Sequence, residues 1–114
     1  MQLEVKKYLL DFKIAIDSIY EYLGENRNFE HYRTNKLLRR AIERELEIIG
    51  EATGKLLRLD PQIQIADARR IVNLRNWVIH AYDNVDDVII WGVINKNLPA
   101  LKSQVTGLLE NSSA

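Results

Sequence analysis

Val5, Leu9, Phe12, Ile16, Ile19 and Leu23 follow one another at steps of four and three, the spacing of a single helix face. Tyr8, Ala15 and Tyr22 widen that stripe, and Gly24 followed by "ENRN" predicts its end. A short linker through Phe29 and Tyr32 is expected next, with His31 as an exposed or partly packed loop residue. A second helix starts near Thr34 or Asn35, either of which could cap it. Its stripe is Leu38, Ile42, Ile49, Ala52 and Leu56, broadened by Leu37, Ala41, Leu46 and Ile48. Gly50 and Gly54 lie one turn apart in it, and close approach of a neighbouring helix would offset their poor helix propensity. Pro61 disfavours helical geometry at Asp60, so "RLDP" closes the segment.

A third helix is predicted from about Ala66 through "DARRIVNLRNWVIHAY", with Ile71, Leu74, Val78 and Ala81 as its stripe. In the turn "DNVDD", Asp83 or Asn84 can cap the next helix, while Asp86 and Asp87 suit its positive N-terminal end. The last segment keeps one apolar face through Val88, Trp91, Ile94, Leu98, Leu101, Val105 and Leu108. Pro99 predicts a kink or break at Asn97–Leu98. No segment alternates with period two for long. The pattern therefore predicts an all-α fold, an antiparallel bundle of four to five helices joined by short loops. One domain over residues 1–110 is expected, with a disordered tail at 111–114.

Composition changes little in this picture but narrows the chemistry. With 114 residues, 46% hydrophobic and 28% charged, the chain suits one ordinary globular core. Sixteen basic residues balance sixteen acidic ones, so any grip on nucleic acid must come from a local patch. The absence of cysteine excludes disulfides, thiolate nucleophiles and cysteine-based metal centres. No signal-peptide core or membrane-length apolar run is visible, which predicts a soluble, cytoplasmic protein without membrane partners.

Candidate chemistry concentrates in "RNWVIHAYD", Arg75 to Asp83. Imidazole titrates near neutral pH, so His80 can serve as general acid or base. Arg75 is permanently charged and shaped to grip a phosphate. Tyr82 offers a phenol that can hydrogen-bond a phosphate or accept a modifying group. At 100° per residue Arg75 and Tyr82 share a face, whereas His80 lies about 140° round from Arg75. Either the helix ends before His80, or a second copy completes the site, as a two-fold dimer would. Dipole compensation, carbonyl capping and a snorkelling rim would also account for these residues, and on spacing alone that ordinary explanation leads. Metal binding by His80 and Asp83, with Asp86 and Asp87 nearby, is less favoured than turn and cap duty. The basic run Arg39, Arg40 and Arg44 alternates with Glu43, Glu45 and Glu47, as on a salt-bridged solvated face.

"RNWVIHAYD" matches R-x-x-x-x-H-x-Y, the signature of the HEPN superfamily, and more narrowly it resembles the HepT-like toxins. "AIERELEIIGEATGKL" resembles the second-helix block of that family, and "YDNVDDVIIWGVINKNLPAL" its last helix. The resemblance implies a helical bundle that pairs into a homodimer with two motifs facing a shared cleft. It implies a metal-independent endoribonuclease, needing no cofactor, that acts as the toxin of a toxin–antitoxin pair. Arg75 and His80 would then be catalytic, His80 activating the ribose 2′-hydroxyl or protonating the leaving oxygen while Arg75 holds the scissile phosphate. Asn76 matches the polar residue that often follows the arginine and would orient the site or contact RNA. Tyr82 matches the tyrosine that a partner minimal nucleotidyltransferase modifies with AMP, which would block the cleft and repel RNA. Net neutrality departs mildly from expectation for a ribonuclease and points to a local grip by Arg69, Arg70 and Arg75. The alternative within the resemblance is a non-catalytic HEPN module that binds nucleotides or serves as partner and substrate of the nucleotidyltransferase.

Overall fold

The computed structural model describes residues 2–25, 27–66, 70–73 and 87–112. Helix α1 spans Leu3–Leu23 and buries Val5, Leu9, Phe12, Ile16, Ile19 and Leu23, the whole predicted stripe. Gly24 ends it at φ 61°, a left-handed conformation that glycine adopts without Cβ strain, and its N–H donates to the Tyr20 carbonyl at 2.9 Å.

The expected linker is instead a short helix, α2, over Phe29–Thr34. Two causes make it one, the first local and the second tertiary. The Asn28 side chain accepts hydrogen bonds from the N–H groups of Glu30 (2.8 Å) and His31 (3.3 Å). Tyr32, fully buried, stacks on Trp91 with ring centroids 5.3 Å apart, so tertiary packing supplies what a six-residue helix lacks by itself. His31 is exposed, but on a helix.

Helix α3 spans Lys36–Leu59. Asn35 is its cap, accepting the Leu38 N–H at 3.0 Å, while the Thr34 hydroxyl donates to the Glu30 carbonyl at 2.6 Å and so belongs to α2. Leu38, Ile42, Leu46, Ile49, Ala52 and Leu56 are buried. Leu37 does not broaden the stripe; it lies about 100° round from Leu38 and is exposed. A Cβ at Gly54 would meet Val72 Cγ2 at 4.0 Å, ordinary contact, so close helix approach does not require glycine there. Asp60, extended at φ −145° and ψ 88°, stops α3 ahead of Pro61.

Of the third predicted helix, Ala66 sits in a turn and residues 70–73 are helical, with Ile71 buried. The rest of that prediction, including Leu74, Val78 and Ala81, lies outside the described residues, as do Asp83 and Asn84. Helix α4 (Asp87–Gly92) leads through a π-helical turn (Val93–Asn97) directly into α5 (Leu98–Ser112), which enters the tail expected from residue 111.

Pro99 therefore breaks nothing. It lacks an N–H for the Asn95 carbonyl, and the wide turn just ahead of it absorbs the misfit. Within that turn the Leu98 N–H reaches back five residues to the Val93 carbonyl, and the Asn95 amide donates to the Trp91 carbonyl at 2.8 Å. The extra residue shifts the apolar register by one, from Trp91 to Ile90. Ile90 is fully buried, Trp91 is half-buried and Val88 is exposed, while Ile94, Leu98, Leu101 and Val105 stay on the core face. The core forms where α1 packs between α3 and α5. Two polar ties join its helices at the surface: Lys102 Nζ to Asp17 (2.9 Å) links α5 to α1, and the Tyr22 hydroxyl to Glu45 (2.8 Å) links α1 to α3. The described residues form an all-α bundle, and none of their helices is long and apolar enough to cross a membrane.

Candidate functional site

Arg75, Asn76, His80 and Tyr82 all lie outside the described residues, as do Arg69, Asp83 and Asp86. The structure gives the ground on either side of the motif. On its N-terminal side, Ile71 is anchored in the core while Arg70 and Asn73 are exposed. The N–H of Ala66 donates to the Gln104 side chain at 2.9 Å, which ties the approach to the motif onto α5.

On the C-terminal side, Asp87 opens α4, where the helix N-terminus favours its negative charge. Arg39 Nη1 of α3 stands 3.7 Å from the Asp87 carboxylate, with both side chains largely covered. Beneath this pair is Tyr32, whose hydroxyl is buried with no hydrogen-bond partner among the described residues. Burial pushes the Tyr32 phenol far above its ordinary range, and the negative charges of Asp87 and Glu43 add to the shift. Glu43 is itself buried, held by both carboxylate oxygens to Arg40 Nη1 at 3.0 and 3.2 Å. In sequence the motif is flanked by Ile71, buried in the core, and by Asp87, ion-paired to Arg39.

Between Ala66, Arg70, Ile71 and Asn73 on one side and the α4–α5 rod on the other runs an open groove of about 350 Å³. Ile71, Ile89 and Val93 supply apolar wall, and Asn73, Lys96 and Asn97 supply polar rim. Such a surface can cover a flat apolar group while offering amides and a cation to its edges. Sequence reasoning singled out Arg70 but not Lys96, Asn97 or Gln104. Nothing in their local pattern marks them, since the π-helical turn and the packing of α5 bring them to the groove.

The other basic run is salt-bridged as expected but only partly solvated: Arg44 pairs with Glu47 at 3.1 Å on the open face, whereas Arg40 pairs with the buried Glu43 at 3.0 Å and Arg39 reaches across to Asp87. Among the described residues no three His, Cys, Asp or Glu side chains converge as metal ligands.

Residues 12–108 match the family model described as ribonuclease HepT-like. A Thermococcus cleftensis protein named "Probable ribonuclease HepT" is 36% identical over 103 residues, covering 87% of this chain and 90% of its own. Two proteins named "Putative RNase" are also similar. One, from Methanocaldococcus jannaschii, is 29% identical over 90% of this chain and 94% of its own. The other, from Caldanaerobacter subterraneus, is 36% identical over 73% and 75%. No solved structure matches the chain significantly. The helical bundle, the R-x-x-x-x-H-x-Y motif and a family match over most of the length agree: the chain belongs to the HepT-like family of the HEPN superfamily.

Proposed function

We propose that the protein is a metal-independent endoribonuclease whose site is shared by two copies of the chain. The observation that carries this reading is the family match over residues 12–108, which contains an intact Arg75–His80–Tyr82 motif. The ribose 2′-hydroxyl is an internal nucleophile, so cleavage needs no metal-bound hydroxide. His80 takes its proton or protonates the departing 5′-oxygen, and Arg75 neutralises charge gathering on the phosphate. The products are a 2′,3′-cyclic phosphate and a 5′-hydroxyl. The five-residue spacing that sets Arg75 and His80 about 140° apart on one helix is met when each copy contributes one of them. Arg70 and Lys96 at the groove favour a local electrostatic hold on RNA by a chain that is neutral overall.

In this reading the chain is the toxin of a toxin–antitoxin pair, and Tyr82 is where a minimal nucleotidyltransferase attaches AMP. The phenol oxygen attacks the α-phosphorus of ATP and pyrophosphate leaves. The added charge and bulk then exclude RNA from the cleft.

The test is RNA cleavage by purified protein in excess EDTA. His80→Ala and Arg75→Ala are each expected to lower the rate by roughly 100-fold or more. Wild-type rates in both variants would remove the catalytic assignment. Co-expression with the nucleotidyltransferase, ATP and magnesium should add the mass of adenylyl groups to the wild type and none to Tyr82→Phe. An unmodified wild type contradicts the regulatory part alone.

A further inference from the structure

The groove over the α4–α5 rod joins an aliphatic wall to a one-sided set of polar groups. Ile71, Ile89, Val93 and Leu101 form the wall, and the described lining residues include the cations Arg70 and Lys96 but no carboxylate. Lys96 is exposed and makes no ion pair among the described residues. An ammonium group can only donate hydrogen bonds, and a positive rim without acid attracts an anion. Gln104 is fixed by the fold itself. Its side-chain oxygen accepts the Ala66 N–H at 2.9 Å, which leaves the NH2 group of the same amide as a donor.

We propose that this groove seats one nucleotide of single-stranded RNA, with its phosphate on Lys96 and the keto edge of its base on the Gln104 NH2 group. Size sets the first limit. A volume of about 350 Å³ lies at the small end of ligand pockets, enough for one nucleotide and too little for a helix about 10 Å across. Lys96 and Gln104 are eight residues apart on one continuous rod, about 12 Å at 1.5 Å per residue, which is the reach from a base edge to its phosphate. A flat base between aliphatic side chains removes its faces from water while its edge keeps polar partners. An apolar side chain from a protein would cover the same wall but strip water from Lys96 and Gln104 without replacing it.

The donor at Gln104 decides which base fits. Guanine offers O6 and N7 as adjacent acceptors and uracil offers O4, whereas adenine and cytosine turn an amino group toward the same position. A donor facing a donor leaves both unpaired, so the groove prefers a keto base. That the nucleotide belongs to RNA rests on the ribonuclease reading, to which the keto preference adds a base specificity.

Guanosine and adenosine 5′-monophosphates, titrated into the full chain with labelled Ile, Leu and Val methyl groups, test the subsite by nuclear magnetic resonance. The guanosine nucleotide is expected to move the signals of Ile71, Ile89, Val93 and Leu101 and to bind at least about 5-fold more tightly than the adenosine nucleotide. Gln104→Glu keeps an acceptor for the Ala66 N–H but replaces the donor with a second acceptor, so the preference should vanish or reverse. Lys96→Gln should weaken both nucleotides alike and leave the preference intact. Ala100→Trp, at an exposed lining position, should fill the groove and abolish the shifts. Unchanged circular dichroism confirms the fold of each variant. Groove methyl groups unmoved by either nucleotide would overturn the proposal and leave the wall to a protein side chain. Equal binding of the two nucleotides, or a preference that survives Gln104→Glu, would overturn the keto contact. RNA cleavage by the same protein without groove shifts would remove the subsite alone, whereas groove shifts in a protein that cleaves no RNA would uphold the nucleotide site and remove the ribonuclease reading.

Discussion

Tyr32 is the buried residue whose polar group the fold serves least. Its ring is fully buried against Phe29 and Trp91, yet its hydroxyl finds no partner among the described residues. Removing that hydroxyl should therefore cost little: Tyr32→Phe is expected to change stability at neutral pH by less than about 1 kcal/mol, or to raise it. Alkali should separate the two proteins. Burial, with Asp87 and Glu43 nearby, raises the folded phenol's pKa, whereas the unfolded phenol ionises near its ordinary value of about 10. The neutral form is favoured only in the folded chain, so its stabilising effect is complete below pH ~10 and is lost as pH rises beyond it. Each further pH unit should cost the wild type about 1.4 kcal/mol relative to Tyr32→Phe, until the folded phenol ionises. Urea unfolding of both proteins at pH 8 and pH 11 reads the difference. A gap that does not widen would mean that the Tyr32 hydroxyl reaches water or a partner.

At the scale of the elements, capping chemistry was the most legible feature of the chain. Gly24 as stop and a cap at Thr34 or Asn35, which the structure resolves to Asn35, are read from residue type and position, because each acts through bonds to residues within four places of it. Asn35→Ala removes the acceptor for the Leu38 N–H and is expected to cost about 1 kcal/mol, measured by thermal or urea unfolding. Asn35→Asp, which keeps an acceptor, should recover most of that loss. A silent Asn35→Ala would show that the start of α3 is held by packing alone. What the pattern could not give were features decided by contacts distant in sequence. Helix α2 exists because Tyr32 and Phe29 pack on Trp91, which lies on α4. The π-helical turn ahead of Pro99 replaces the expected break, and its extra residue puts Ile90 rather than Trp91 deepest in the core and leaves Val88 exposed. A helical wheel with constant pitch cannot anticipate either.

For the whole molecule, the bundle was legible because long amphipathic stripes leave few ways to bury three helices together. The candidate site was legible in a narrower sense. Arg75, His80 and Tyr82 stand out by residue type and by family likeness, and their spacing alone raises the question of a second chain. The groove lined by Ile71, Lys96 and Asn97 was not legible, since Lys96, Asn97 and Gln104 reach it only through the packing of α5. The contacts that flank the motif in sequence, Ile71 in the core and Asp87 against Arg39, are equally products of tertiary structure.

The central claim is ribonuclease chemistry at a site to which two copies each contribute. Its most direct measurement is RNA cleavage by an equimolar mixture of Arg75→Ala and His80→Ala proteins, dissociated and reassociated before assay. Random pairing puts one variant of each kind in about half of the dimers, and each such dimer retains one intact site of two. The mixture should then regain about a quarter of the wild-type rate, although each parent alone is nearly inactive. A mixture no more active than its parents would contradict a site built from two chains, and parents as active as the wild type would contradict the chemistry assigned to Arg75 and His80.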